Sequence, residues 1–187
     1  MEKIPEQTHF SGLRIVLYGP ESTGKSTLAQ QLSAHYREPQ VEEFARDYLQ
    51  ELFDQNGHIC TYDDILPIAI GQRTAENIAS AKANKFLFCD TDIVETYVYS
   101  MAYFDKVPAE LIAAIKKSKY DHYVLLDVDT PWTDDDLRDK PNERKEMFNR
   151  FEAALQEFGY NYTKVSGLGE NRLKNAINAI EKLIQWN

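Results

Sequence analysis

Apolar positions along this chain alternate between two rhythms. A compact run, Leu13, Ile15, Val16 and Leu17, stops at Gly19, and beyond it Leu28, Ala29 and Leu32 recur at helical spacing. The first predicts a buried strand over Leu13–Tyr18 and the second an amphipathic helix over Lys25–Tyr36. Val41 marks a short second strand, a helix follows over residues 43–53, and Asn56-Gly57-His58 breaks the pattern. A long helical stretch covers 62–84. Phe86–Asp90 is a compact apolar strand, and Ile93–Phe104 is a helix with few polar positions, hence a well-buried one. Pro108 opens another helix, with Leu111, Ile112 and Ile115 on one face. A strand over 122–128 leads into a polar stretch over 130–142, rich in Asp and Pro. A helix over Arg144–Phe158, a brief strand over 163–165 and a closing helix striped by Leu173, Ala176, Ile177, Ile180, Leu183 and Ile184 complete the order. Strands alternating with helices of this length predict an α/β fold built on a parallel sheet with right-handed crossovers. No repeat, linker or low-complexity segment interrupts the alternation, so one domain is expected over residues 1–187.

Charge and cysteine content narrow the setting. A formal net charge of −9 disfavours non-specific nucleic-acid binding and docking on anionic lipid, both of which need a basic surface. No run approaches the roughly 20 apolar residues that span a bilayer, and the start MEKIPEQTHFSG carries no secretory pattern. Two cysteines, Cys60 and Cys89, cannot build a metal cluster by themselves, and Cys89 ends an apolar strand as a buried thiol. A cytoplasmic protein is expected.

Between the first strand and its helix the sequence reads G-P-E-S-T-G-K-S-T, which fits the phosphate-loop pattern G-x-x-x-x-G-K-[ST] in the strand-to-helix context it requires. Glycines let backbone N–H groups curl around phosphate oxygens, and the helix N-terminus adds partial positive charge. Gly19, Glu21, Ser22, Thr23, Gly24, Lys25, Ser26 and Thr27 are therefore expected around the phosphates of ATP. Lys25 reaches the outer phosphates and the Ser26 hydroxyl ligates Mg²⁺.

Three further groups of residues surround that loop in the predicted order. Asp90 ends an apolar strand and is followed by Thr91-Asp92. An acid there serves magnesium, and two acids spaced by two along a strand share a side, so one of them can take the acceptor hydroxyl's proton. The plainer reading of Asp92 is an N-cap for the helix from Ile93, with Glu95 completing a capping box. Asp127, at the end of another apolar strand, is the second candidate for the metal. Residues 130–143 have the character of a mobile lid that closes over a triphosphate and delivers Arg138 and Arg144 to it, with Trp132 either packing on a planar ligand or anchoring the lid. Glu43 and Arg46, just after the second strand, form either a surface ion pair or part of the ligand cleft, where Glu43 takes ribose hydroxyls. Phe44, Tyr97, Tyr99 and Tyr103 offer a stacking surface or fill the core.

Taken together, G-P-E-S-T-G-K-S, E-F-A-R-D-Y, D-T-D-x-x-x-T-x-x-Y and D-T-P-W-x-x-D-D-L-R resemble the nicotinamide riboside kinase domain of the bacterial bifunctional and trifunctional NAD-biosynthesis regulators, over residues 13–186. The resemblance implies a three-layer P-loop NTPase fold, with five parallel strands and the phosphate-loop strand in the middle. It implies ATP-dependent phosphorylation of the ribose 5′-hydroxyl, giving nicotinamide mononucleotide. It also places Gly19 to Thr27 on the nucleotide, Asp90 and Asp92 in the acidic element, Glu43 and Arg46 on the substrate side and Arg138 in the lid. The regulators join this domain to an adenylyltransferase, for which this sequence has no room, so the chain is expected to make the mononucleotide and not to act as a repressor. A kinase for another nucleoside or a nucleoside monophosphate, and a nucleotide-gated ATPase or binding module, are the alternatives. The acidic Glu43 region suits a neutral or cationic acceptor, and nicotinamide riboside carries a positive ring. Oligomeric state is not legible.

Overall fold

The computed structural model describes residues 3–134, 137 and 142–185. Five strands, β1 (Leu13–Tyr18), β2 (Gln40–Val41), β3 (Phe86–Asp90), β4 (His122–Leu126) and β5 (Tyr162–Val165), form one sheet in the order β2-β3-β1-β4-β5. Every pairing is parallel. Among the described residues seven α-helices connect and cover them: α1 (Lys25–Tyr36), α2 (Phe44–Asn56), α3 (Ile65–Ser80), α4 (Ile93–Phe104), α5 (Ala109–Lys117), α6 (Arg144–Phe158) and α7 (Gly169–Gln185). Among the described residues no helix is long and apolar enough to cross a membrane.

Strand alternation divides the core into two layers. Ile15, Leu17, Phe88, Val124 and Leu126 pack with Leu28 and Leu32 of α1 and Ala176 and Ile180 of α7. Val16, Tyr18, Leu87, Cys89, Tyr123 and Leu125 point the other way and pack with α3, α4, α5 and α6. Strands covered on both faces read as continuous apolar runs, which is why β1, β3 and β4 stand out in the sequence. Both cysteines are free thiols.

Boundaries shift where local chemistry outweighs periodicity. The helical stretch over 62–84 resolves into a single 3-10 turn, Tyr62–Asp64, followed by α3, which stops at Ser80. A capping box between Thr61 and Asp64 sets its start, and Pro67 falls in the first turn of α3, where a missing N–H costs nothing. The second helix runs on to Asn56, because Gly57 (φ 70°) supplies the left-handed residue that ends it by donating to the Phe53 carbonyl.

Strand order decides where ligands go. The connection leaving β1 crosses to β2 on one face of the sheet, whereas the connection leaving β3 crosses back to β4 on the other, and this reversal opens a crevice at the carboxyl ends of β1 and β3. The loop after β1, Glu42-Glu43 after β2 and Asp90-Thr91-Asp92 at the end of β3 converge on that edge.

Candidate active site

The loop after β1 is held open by backbone that few residues adopt. Gly19 (φ 145°), Ser22 (φ 58°) and Gly24 (φ 81°) all lie at positive φ, and Gly24 is the N-cap of α1. The Thr23 hydroxyl donates to the Pro20 carbonyl at 2.8 Å and braces the turn. Arg172 of α7 supports it from behind, donating to the Thr23 carbonyl, to the Gly167 carbonyl at 2.6 Å and to the Asp129 carboxylate. A Cβ on Gly19 would lie 3.0 Å from the Leu126 carbonyl oxygen, on a backbone that L residues avoid. Gly19→Ala is therefore expected to cost about 1–3 kcal/mol, read as a lower thermal unfolding midpoint; an unchanged midpoint would show that the loop relaxes freely.

Lys25 opens α1 and is buried. Its ammonium donates to the Gly19 carbonyl at 2.7 Å and the Pro20 carbonyl at 3.3 Å, and it lies 3.3 Å from Glu95 Oε1 of α4. Burial on its own lowers the ammonium's proton affinity, but Glu95, Glu43 and Asp90 outweigh it and hold the group above its ordinary range. Lys25 stays charged.

The two acids after β3 do different things. Thr91 takes a left-handed backbone (φ 68°), so Asp90 and Asp92 do not share a strand face as their spacing suggested. Asp90 is buried and accepts the Ser26 hydroxyl's hydrogen bond, while its Oδ1 has no partner. Burial, with help from Glu43, raises its pKa to about 6 against the pull of Lys25 and Ser26. A hydroxyl beside an orphaned carboxylate oxygen fits a hard cation that takes its remaining ligands from phosphate and water. Among the described residues no three His, Cys, Asp or Glu side chains gather as a metal group, so the protein alone does not complete such a shell. Asp92 caps α4: its Oδ1 accepts the Glu95 backbone N–H at 3.2 Å and its Oδ2 accepts the Tyr123 hydroxyl at 2.5 Å. Burial lifts its pKa to about 7, with those two bonds opposing. The reciprocal half of the expected capping box is missing, because the Glu95 carboxylate turns to Lys25. Asp127 accepts the N–H of its own neighbour Val128 at 2.8 Å and is not on the cleft wall.

Beside the loop lies a cleft of about 540 Å³. Residues 21–27 form one end, Glu43, Arg46 and Gln72 one side, and the α4 stripe Glu95, Tyr99 and Tyr103 the other. His58, Ile59 and Cys60 border it too, and burial together with Asp64 pushes the Cys60 thiol up to about 11. Gln72 sets the width: its amide accepts from Phe44 N at 2.8 Å and donates to the Glu42 carbonyl at 3.4 Å and the Thr91 carbonyl at 3.5 Å, tying the start of α2 to the end of β3.

Of the residues singled out from the sequence, Lys25, Glu43, Arg46, Asp92 and the phosphate loop meet at this cleft. Tyr97 does not: its hydroxyl donates to Glu157 at 3.0 Å and its ring packs edge-on against Phe158, so it joins α4 to α6. Trp132 is also off the cleft wall, lying 5.8 Å from the Arg144 guanidinium while its indole N–H donates to Asp134. Arg144 ties the segment after β4 to the phosphate loop, donating to the Thr130 carbonyl at 2.7 Å and the Ser22 carbonyl at 2.9 Å. Arg138 lies outside the described residues. Gln72 and Arg172 were not singled out, and Glu95 was read only as the capping partner of Asp92. A carboxylate on an otherwise apolar helix was the one readable sign, and it pointed to Glu95.

A family model described as an AAA domain matches residues 14–172. The trifunctional NAD biosynthesis/regulator protein NadR of Escherichia coli (strain K12) is 31% identical over 153 residues, covering 81% of this chain and 37% of that protein. Its Salmonella typhimurium counterpart is 30% identical over the same span. The chain thus spans 37% of the length of these curated relatives. Among solved structures, a NadR protein in complex with NR superposes with a TM-score of 0.78 at 27% identity, over 93% of this chain and 52% of that one. A thymidylate kinase from Ehrlichia chaffeensis shares the fold, with a TM-score of 0.61 at 13% identity over 92% of this chain and 98% of that one.

Proposed function

Because the chain belongs to the AAA domain family, with a phosphate loop at the head of its sheet, we propose that it is an ATP-dependent kinase that phosphorylates nicotinamide riboside on the ribose 5′-hydroxyl, giving nicotinamide mononucleotide. One observation carries the reading. A single cleft runs from the phosphate-loop lysine to a wall of carboxylates and tyrosines, so a triphosphate and an acceptor fit end to end. Similarity to a NadR protein crystallised with NR supports this acceptor.

Phosphoryl transfer asks a protein mainly for positioning and charge. Backbone N–H groups of the loop and the α1 N-terminus hold the phosphates, and Lys25 places a fixed positive charge where the transferred group gains negative charge. The Ser26 hydroxyl and the Asp90 carboxylate would hold Mg²⁺, which would supply further positive charge at the phosphate oxygens. Arg144 and Arg172 keep the loop's carbonyls turned away from the ligand by binding Ser22 and Thr23 from outside. On the acceptor side, Glu43 stands at the start of α2 without a capping bond to its own helix, free to take ribose hydroxyls. Tyr99 and Tyr103, stacked 6.0 Å apart, give a cationic ring an aromatic wall.

A nucleoside monophosphate acceptor suits this cleft less well. Glu43 on its wall repels a second phosphate. The deciding measurement is acceptor-dependent ADP release across nicotinamide riboside, cytidine, thymidine and thymidine monophosphate. Nicotinamide riboside is expected to give the highest kcat/KM. A clear preference for another nucleoside or the monophosphate overturns the acceptor, and turnover that ignores all of them overturns the kinase.

A further inference from the structure

Glu95 offers the cleft more than its ion pair with Lys25 uses. It is 4% exposed on α4 and borders the cleft. One oxygen faces Lys25 at 3.3 Å, and the other, Oε2, is buried without any hydrogen-bond partner. A buried orphan of this kind is expensive to keep, and proteins retain it where a ligand completes it. Asp92 and Asp90, the nearest acids along the chain, are placed differently. Asp92 spends both oxygens on the Glu95 N–H and the Tyr123 hydroxyl, and Asp90 faces Ser26 and is absent from the cleft wall.

We propose that Glu95 is the catalytic proton acceptor of the transfer, an assignment that rests on the kinase reading above. The phosphate-loop lysine marks where the outer phosphate lies, so a carboxylate within 3.3 Å of its ammonium is next to the point of attack. There the acceptor's O–H bond breaks and its proton passes to Glu95 Oε2. The oxygen's electron pair forms the new bond to the γ-phosphorus, and the bond from that phosphorus to the bridging oxygen breaks, its electron pair leaving with ADP. Glu95 returns the proton to water as products depart.

The surroundings favour this role. Tyr99, one turn further along α4, also has a buried hydroxyl without a partner, and so does Tyr18 beneath it. The groups facing Glu95 are Lys25, Glu43, Asp90, Asp92, Tyr18 and Tyr99. Burial raises the proton affinity of Glu95 well above the ordinary carboxylate range, the three acids add to this, and Lys25 opposes it.

The test compares E95Q with wild type in acceptor-dependent ADP release, alongside calorimetric titration with a non-hydrolysable ATP analogue and Mg²⁺. The glutamine keeps the shape and removes the base. Its kcat is expected to fall at least about 100-fold while the analogue binds as tightly as before or more tightly, because Lys25 is released to the phosphates. A merely structural Glu95 would instead weaken analogue binding and leave kcat near wild type, and that outcome overturns the assignment. Should E95Q fail to fold, E95D keeps a negative charge for Lys25 but withdraws the carboxylate by one methylene. It is expected to lose at least about 10-fold in kcat, and full activity in E95D overturns the proposal. If wild type itself ignores every acceptor, the kinase reading falls and the assignment with it. If wild type turns over and E95Q matches it, only the assignment falls.

Discussion

Lys25→Ala abolishes acceptor-dependent ADP release, by about 10³-fold or more, and makes the stability of the protein fall as pH rises. The first effect follows from removing the fixed charge at the transferred phosphoryl group. The second follows from what the lysine leaves behind. Glu95 is buried, and Lys25 is the one partner that opposes the rise in its proton affinity. Without it the folded-state pKa of Glu95 climbs further from its ordinary 4.5. Between the unfolded and folded values the native state holds a proton that the unfolded chain has lost, so stability declines as pH rises through that window. Lys25 contributes no opposing slope there, being charged in both states below its ordinary 10.5. Thermal unfolding of the variant across mildly acid to mildly alkaline buffers, set against wild type, reads the effect directly. A melting-temperature difference that stays flat with pH would mean that water reaches Glu95 and the pair is not sealed. Retained turnover would mean that the loop does not hold the phosphates.

How far the sequence discloses this site depends on whether the determining contact is local. β1, the phosphate loop and α1 were legible because their glycines, lysine and hydroxyl act through their own backbone. The end of β3 was legible for the same reason, as an apolar run that stops at an acid. Asp92 was half legible: its cap follows from spacing, but the Tyr123 hydroxyl that occupies its other oxygen comes from a strand across the sheet. Glu95 looked like a cap partner because periodicity gives only the burial of α4, and its real partner lies in the loop after β1. Tyr97 and Tyr99 show the same limit. α4 is apolar almost all round, so pattern alone does not choose its cleft face, and the packing of α6 turns Tyr97 away while Tyr99 stays. Arg172 and Arg144 were placed by loop carbonyls far behind them in the chain. No spacing rule reports such contacts.

At the opposite end of β1 the largest loss of stability is expected from Glu76→Ala. Glu76 of α3 is 1% exposed and sits between two buried arginines, Arg14 at 3% and Arg73 at 1%. Its Oε1 lies 3.0 Å from Arg14 Nε and accepts from the Gln7 amide at 2.6 Å. Its Oε2 accepts the Tyr120 hydroxyl at 2.8 Å and lies 3.7 Å from Arg73 Nε. Such a cluster is weak evidence for stability while intact, because desolvation offsets most of the attraction, but removing its one anion strands two guanidiniums. The expected cost is about 3–5 kcal/mol, or a melting temperature lower by roughly 6–20 °C in a chain of this size. The kcat below the transition should hold, since Arg14 is the second residue of β1 and the phosphate loop follows its other end. Glu76→Gln separates charge from hydrogen bonding. The amide oxygen still accepts from Gln7 and its nitrogen can donate to the Tyr120 oxygen, but Arg14 loses its countercharge and Arg73 keeps only Asp92, so it should lose nearly as much as alanine. A glutamine variant close to wild type would show that the hydrogen bonds, and not the charge, hold this corner of the fold.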